Sequence, residues 1–340
     1  MASRIFGLDI GRSFIKVVQV DQKAGKNFLV AAALVPCLGG GIATESAVEL
    51  SKISDAIKSL VESAKIEAEK CVVSLVESQV VSRLIQLPPL TDKELAAAIK
   101  WEAEQYIPLP IKDVILHYQV VARPAAGELG QKMDVLLVAA PKRVIDKYLN
   151  ITKNAGLRVQ ALETESAALV RALTRGGDPP TVIVSMGALS TELVVEHEGH
   201  VLFTRSIATG GSNLTRAIAV EFNLPQKQAE EYKQAYGIVT DKLSGKLAAV
   251  LKPILDIVIS EVLKAIEFYH SHHQEGQVTR VVICGGGAYL PGLSEFLVER
   301  TSLEVSLGDP WSDFIKEGGV LNLVGQGAVY AVATGLAMRS

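Results

Sequence analysis

Two stretches far apart in the chain share one pattern, and that echo constrains the fold more than any other feature. The first, RIFGLDIGRSFIKVVQVD near the start, sets β-branched and apolar residues around the turn Asp9-Ile10-Gly11-Arg12-Ser13, and strand character resumes from Phe14 to Val20. The second, TVIVSMGALSTELVVEHEGHVLFTRSI, follows Gly176-Gly177-Asp178-Pro179-Pro180 and gives three strand-like runs separated by MGALST and EHEGH. A repeated strand, glycine turn and strand predicts two related subdomains facing each other. A chain of 340 residues has room for both, since roughly 150 residues make a domain.

Between the echoing units the texture changes. After a helical spacing of Val48, Ile53, Ile57, Leu60 and Val61 and a strand at Cys71 to Val76, residues Val80 to Leu87 alternate like a strand. Pro88-Pro89 then precede TDKELAAAIKWEAEQY, whose Thr91 and Glu94 have capping-box spacing. Strands at Val114 to Arg123 and Met133 to Ala140 flank the turn-forming AAGELG, and a helix runs from Pro141 to Asn154 with Gly156 as terminator. The block from about Val80 to Leu157 reads as a small inserted α+β domain, with Trp101 and Tyr106 as its packing residues, or else as the lining of an exposed groove that suits a peptide. Further helices are expected at Ser212 to Phe222, Gln226 to Tyr236 and Lys246 to His273, the last kinked at Pro253 or starting near Lys252. A buried-type strand at Val278 to Cys284 runs into Gly285-Gly286-Gly287, and a short helix follows at Gly292 to Arg300.

Composition excludes several function classes. Hydrophobic residues make up 49% and charged residues 21%, as in ordinary globular proteins, and a net charge of −3 gives no electrostatic footprint for nucleic acid. Cys37, Cys71 and Cys284 lie far apart without a C-x-x-C pair, so neither a disulfide framework nor a zinc site is implied. Cys284 reads as a small buried residue. The cluster His270, His272 and His273 reads as side chains at a helix end rather than metal ligands. No signal-peptide core precedes Asp9, so a cytoplasmic protein is expected. The uncharged run from Gly318 to Met338 contains Asn322, Gln326 and glycines, and is expected to form a buried loop and helix rather than the roughly 20-residue apolar span a bilayer requires.

Four glycine-bearing segments carry the chemistry. Asp9, Gly11, Ser13 and Lys16 surround the first turn, where glycine lets backbone amides approach a phosphate chain and a carboxylate can hold Mg²⁺ through water. Ser185, Gly187, Ser190 and Thr191 form the second turn. Gly210, Gly211 and Ser212 open a helix, where unsatisfied amides and the macrodipole favour an anion. Gly285, Gly286 and Gly287 follow a strand and suit the flat approach of a base or ribose. Glu230 and Lys233, three apart on one helix face, complete the set. Each segment alone also fits an ordinary turn, cap or surface pair.

Taken in order, GLDIGRSFIKVV, LETESAALVRAL, SMGALSTELVV, ATGGSNLTRAIAVEFNL, AEEYKQAYG and VVICGGGAYLPGL resemble the nucleotide-binding segments of the FtsA and PilM branch of actin-like proteins. The insert LPPLTDKELAAAIKWEAEQYIPLP resembles the version of that subdomain found in the PilM family, whose members serve type IV pilus assembly. The resemblance covers essentially the whole chain. It implies an α/β, actin-like fold, duplicated in the ribonuclease H-like manner. Subdomain 1A would comprise 1–79, 158–178 and 325–340, the insert 80–157, and the second domain 179–324. It implies ATP or ADP with Mg²⁺, the latter through Asp9. Asp9, Gly11, Arg12, Ser13 and Lys16 match the first phosphate loop, and Ser185, Gly187, Ser190 and Thr191 the second. Gly210, Gly211 and Ser212 fall on the phosphate side; Glu230, Lys233, Gly285, Gly286 and Gly287 fall on the adenosine side.

Glu165 falls where related ATPases orient the attacking water, with Ser166 replacing the usual proline. Ser185 stands where the second loop normally has Asp, which implies stable ATP binding with slow or absent turnover. The implied partner is the cytoplasmic N-terminal segment of PilN, with membrane association only through partners. Two other readings share the fold: an FtsA-like filament former, which carries a basic amphipathic tail, and a small-metabolite kinase, whose catalytic Asp is not apparent here.

Overall fold

The computed structural model describes residues 5–37, 41–124, 132–272, 276–316 and 318–339. The AAGELG turn and His273 lie outside the described residues. Strands β1 (Ile5–Ile10), β2 (Phe14–Lys23) and β3 (Lys26–Pro36) form an antiparallel meander. Helix α1 (Ala47–Ser63) crosses to β4 (Lys70–Leu75), which pairs parallel with β1. The chain then leaves this sheet for β5 (Val81–Leu87), α2 (Asp92–Glu104), β6 (Val114–Ala122) and β7 (Met133–Pro141). It returns through α3 (Lys142–Asn154) to β8 (Arg158–Thr164), parallel to β4, and continues into α4 (Glu165–Leu173).

The second unit repeats the first. Strands β9 (Thr181–Met186), β10 (Thr191–His197) and β11 (His200–Ile207) form another meander, followed by α5 (Gly211–Glu221), α6 (Gln226–Tyr236) and α7 (Lys246–His272). Strand β12 (Arg280–Cys284) pairs parallel with β9, then α8 (Leu293–Thr301) leads to β13 (Glu304–Leu307). The chain closes with β14 (Ile315–Lys316) on the edge of the first sheet and α9 (Ala331–Ala337). The first sheet runs β14-β3-β2-β1-β4-β8 and the second β11-β10-β9-β12-β13, so apart from β14 both have one order.

Period-two alternation explains how the sheets bury both faces. On β9, Val182, Val184 and Met186 point into a core shared with α5 and α7, while Ile183 points the other way. On β1, Phe6, Leu8 and Ile10 enter a core with α1 and α3, while Ile5 faces away. The opposite faces meet a common layer made of α4 and α9, in which Ala168, Leu169, Ala331 and Leu336 pack against Val72, Ile183, Val194 and Val282. Trp311, buried beside α9, donates its Nε1 to Thr334 Oγ1 at 2.8 Å, so its one polar atom is satisfied.

The sheet β5-β7-β6 is antiparallel and covered by α2, whose Leu95, Ile99 and Ala103 pack on Ile85, Met133, Val135 and Leu137. The capping box is complete: Glu94 N donates to Thr91 Oγ1 at 3.3 Å and Thr91 N to Glu94 Oε2 at 2.8 Å. Helix α3 packs elsewhere, its Val144, Tyr148 and Ile151 joining the core of the first sheet.

Two sequence expectations are corrected. Trp101 and Tyr106 are not packing residues: Trp101 is 74% exposed and Tyr106 41%. The inward stripe of α2 is filled by residues at spacing four, and Trp101 lies two positions off that stripe, on the far side of the helix. Helix α7 begins at Lys246 and continues through Pro253 instead of starting near Lys252, because Leu247, Ala248 and Leu251 are buried and hold the first turns against the core. Among the described residues, no helix is long and apolar enough to cross a membrane. The uncharged run near the end of the chain folds into short 3₁₀ turns and α9.

Candidate functional site

A cavity of about 880 Å³ opens between the two sheets, with α4 and α9 at its base. Both glycine turns face it. From the first come Asp9, Gly11, Arg12, Ser13 and Lys16; from the second, Ser185, Gly187 and Ser190. Gly211, Ser212, Glu230, Lys233 and the run Gly285, Gly286, Gly287 complete the wall, and Glu165 reaches it from the first turn of α4. Residues widely separated in sequence therefore share one space. Thr191 and Gly210 do not line it. Thr191 is buried, donating Oγ1 to Thr209 O at 2.7 Å, and Gly210 sits against Ala188, whose carbonyl carbon and oxygen lie 2.7 Å from where a Cβ would stand.

In the first turn, Gly11 N donates to Phe14 O at 3.0 Å. Asp9 and Lys16 are register partners on β1 and β2, and Lys16 Nζ donates to Asp9 Oδ2 at 2.7 Å. Ser74 Oγ from β4 donates to Asp9 Oδ1 at 3.1 Å, so this buried carboxylate has a partner on each oxygen.

The second turn is clamped by α5. Gly187 N donates to Ser190 O at 2.9 Å, while the Gly211 and Ser212 amides donate to Gly187 O and Ala188 O at 2.9 and 2.8 Å. These two helix-terminal donors are thereby committed to the turn, and they fix its shape rather than pointing at an anion. Lys233 Nζ donates to Glu230 Oε2 at 2.7 Å, Thr215 Oγ1 at 2.9 Å and Gly211 O at 3.2 Å. Burial works against the Glu230 carboxylate, but the Lys233 and Thr215 donors outweigh it and hold the group below the usual carboxylate range.

The three glycines differ. Gly285 has φ +78°, and a Cβ there would stand 2.6 Å from Met186 O; one at Gly287 would strike the Met186 side chain. Gly286 lines the cavity, and a Cβ there meets nothing within 4 Å. Cys284, just before them, is fully buried, and burial pushes its thiol up to about 12, which silences it as a nucleophile. His270 accepts from Val278 N at 3.2 Å and His272 stacks on Phe268, so both serve the end of α7.

Carboxyl groups crowd the base of the cavity. Glu165 is held well above the ordinary range by burial first, then by the charges of Asp9, Glu192 and Glu77. Burial also raises Glu77, which accepts from Ser82 Oγ at 3.0 Å and Ser166 N at 3.4 Å. Glu192 is pushed to about 7 by burial, against the opposing Ser206 hydroxyl at 2.8 Å. Sequence reasoning missed Glu77 and Glu192. The available signal for Glu192 is a carboxylate inside a strand predicted to be buried, directly after the Ser190-Thr191 turn.

Comparison with known proteins identifies the family and the fold. The family model described as type IV pilus assembly protein PilM matches residues 7–340. The solved structure of a PilM-PilN type IV pilus biogenesis complex contains a chain 28% identical to this one, with a TM-score of 0.85 over 99% of this chain and 98% of that one. The cell division protein FtsA of Streptococcus pneumoniae serotype 2 strain D39 is 22% identical over 95% of this chain and 82% of its own length. MreB5 of Spiroplasma citri, solved bound to AMPPNP, aligns over 98% of this chain and 95% of its own at 14% identity and a TM-score of 0.55, a likeness of fold alone. The fold is actin-like α/β, as the sequence predicts.

Proposed function

Because the chain belongs to the family of type IV pilus assembly protein PilM, we propose that it is an ATP-binding scaffold that captures the N-terminal cytoplasmic segment of PilN. The observation that carries the nucleotide reading is the convergence of both glycine turns on one cavity of about 880 Å³, a size within the usual range for small-molecule sites. Lys16 and the turn at Gly11 form the phosphate side contributed by the first sheet, and Gly187 and Ser190 that of the second. Glu230, Lys233 and Gly286 border the adenosine side, where the absence of a side chain at Gly286 leaves room for a flat ring. A nucleotide held by both halves ties them together, which fixes where the insert sits.

Magnesium supplies charge neutralisation for the phosphates when bound. Asp9 and Glu192 line the cavity and carry hard carboxylate oxygens of the kind it takes, with Asp9 paired to Lys16 and Ser74. Turnover is slow in this reading. Ser185 brings no carboxylate to the second turn, and Glu165 lies among groups that favour its neutral form, which cannot accept a proton from water. Single-turnover hydrolysis at about 1 per second or faster contradicts this part.

The insert carries the partner surface. Trp101, Tyr106, Leu109 and Ile115 are exposed and follow one another from α2 to the start of β6. Exposed aromatics of this kind are the usual anchors of peptide binding. Trp101→Ala is expected to weaken binding of a synthetic PilN N-terminal peptide by about 2 kcal/mol, roughly thirtyfold in Kd by calorimetry. Undiminished affinity rejects this surface. The point substitution is preferable to deleting 80–157, since α3 belongs to the core of the first sheet. The chain would then sit in the cytoplasm and meet the membrane through PilN.

A further inference from the structure

The short 3₁₀ turn Glu77–Gln79 is where the chain leaves the first sheet for the insert, between β4 and β5. It has two sides. Val76, Ser78 and Gln79 line the cavity, whereas Glu77 does not: it is 5% exposed and turned into the protein. There its carboxylate gathers donors from three parts of the molecule. Oε1 accepts from Ser82 Oγ of β5 at 3.0 Å, Oε2 accepts from Ser166 N in the first turn of α4 at 3.4 Å, and the Thr204 hydroxyl of β11 donates to the same group. The insert, the central layer and the second unit thus meet at one side chain. Around it the insert rests on the second unit: β5 lies against β11, and Leu84 and Val121 pack, with Phe203 of β11, on that unit's core. Both strands are sheet edges, and among the described residues no backbone hydrogen bond joins them, so side chains hold this junction together.

We propose that the Glu77–Gln79 turn couples the cavity to the insert, with Glu77 as a positioning residue that latches β5 onto β11. A buried carboxylate is stable only while its donors stay in place. Because these come from three units, swinging the insert away from the second unit takes at least one of them from the group. A single 3₁₀ turn is too short for its residues to move independently, so a ligand resting on Ser78 and Gln79 also fixes the aim of Glu77. Coupling of this kind is reciprocal: whatever loosens the latch weakens the ligand in the cavity. The device does not need the charge. Ser82 and Thr204 can turn their hydroxyls to accept from an amide, while Ser166 N keeps an acceptor in the amide oxygen, so glutamine satisfies every partner and alanine none. The choice of ATP as the cavity ligand rests on the nucleotide reading above; the latch itself does not.

The test reads the placement of the insert and the affinity of the cavity separately. Spin labels at Lys93→Cys on α2 and Glu267→Cys on α7, both exposed, are introduced with Cys37→Ser into the full chain, in which Cys71 and Cys284 are buried. Double electron–electron resonance is expected to give one narrow distance distribution for this parent and for Glu77→Gln. Glu77→Ala and Thr204→Val, the second of which removes only the tie to β11, are expected to add a longer or broader population. Calorimetric titration of ATP is expected to show about fivefold weaker binding in Glu77→Ala and Thr204→Val, and parental binding in Glu77→Gln. Glu77 and Thr204 do not line the cavity, so a purely local loss of packing leaves ATP affinity where it was. Parental distance distributions in both Glu77→Ala and Thr204→Val overturn the latch. A broadened distribution with unchanged ATP affinity overturns the coupling to the cavity. If the parent binds no ATP, the nucleotide reading fails and the coupling with it, while the distance distributions still decide the latch. Should Glu77→Ala fail to fold, Thr204→Val carries both measurements.

Discussion

Gly335→Ala is expected to cost more than about 4 kcal/mol of stability, enough to leave most of the chain unfolded or aggregated on expression. A Cβ at residue 335 would stand 1.9 Å from Ala168 O and 2.5 Å from its carbonyl carbon, so α9 and α4 touch backbone to backbone. Nothing flexible can yield. The Gly335 carbonyl also accepts from Arg171 Nη1 at 2.7 Å, which ties the two helices further. On the other side of α9, a Cβ on Gly7 of β1 would lie 1.9 Å from Ala333 O, so the helix has no slack in either direction. This layer separates the two sheets and forms the base of the cavity, so its displacement disorders the site with the core. Urea denaturation followed by circular dichroism checks the point, and a midpoint equal to wild type contradicts the packing described.

The second large effect concerns binding. Gly286→Leu is expected to leave folding intact and weaken ATP at least a hundredfold, about 2.7 kcal/mol or more. Of the three consecutive glycines, only this one separates site from scaffold. Gly285 is held in the left-handed region against Met186 O, and Gly287 against the Met186 side chain, so substitutions there test packing. Gly286 lines the cavity with nothing within 4 Å of a Cβ, and on the proposed reading the leucine would occupy the volume assigned to the base or ribose. Melting temperature measures the first half of the expectation and calorimetry the second. Unaltered ATP affinity in a folded Gly286→Leu protein moves the adenosine side elsewhere.

Much of this architecture was legible because periodicity and turn chemistry act locally. The two glycine turns, the capped start of α2 and the helix Gln226–Tyr236 each follow from neighbouring residues. Strand β3 was not legible: KNFLVAAALVP contains three consecutive alanines, good helix formers, and becomes extended only because β2 pairs along it. The packing partner of α3 was equally hidden, since adjacency in sequence assigns it to the insert while its apolar face fits α1 and the first sheet. Trp101 misled because bulk and apolarity favour a core position, yet the α2 stripe was already full.

At the site, sequence order identified which segments carry glycine turns but not which face each residue shows. Thr191 and Gly210 belong to those segments and point away from the cavity. The Gly211 and Ser212 amides looked like anion donors, and the fold uses them to hold the neighbouring turn. Glu192 had no motif to mark it, because its environment is created by register with β9 and β11 and by the opposing sheet.

The most direct measurement of the central claim is a calorimetric titration of ATP into the purified full chain in Mg²⁺. Binding to one site per chain, with a dissociation constant in the micromolar range or tighter and a lower affinity for adenosine lacking phosphates, is the predicted result. Heat no greater than dilution, or equal affinity for ATP and adenosine, contradicts a site in which both glycine turns serve the phosphates.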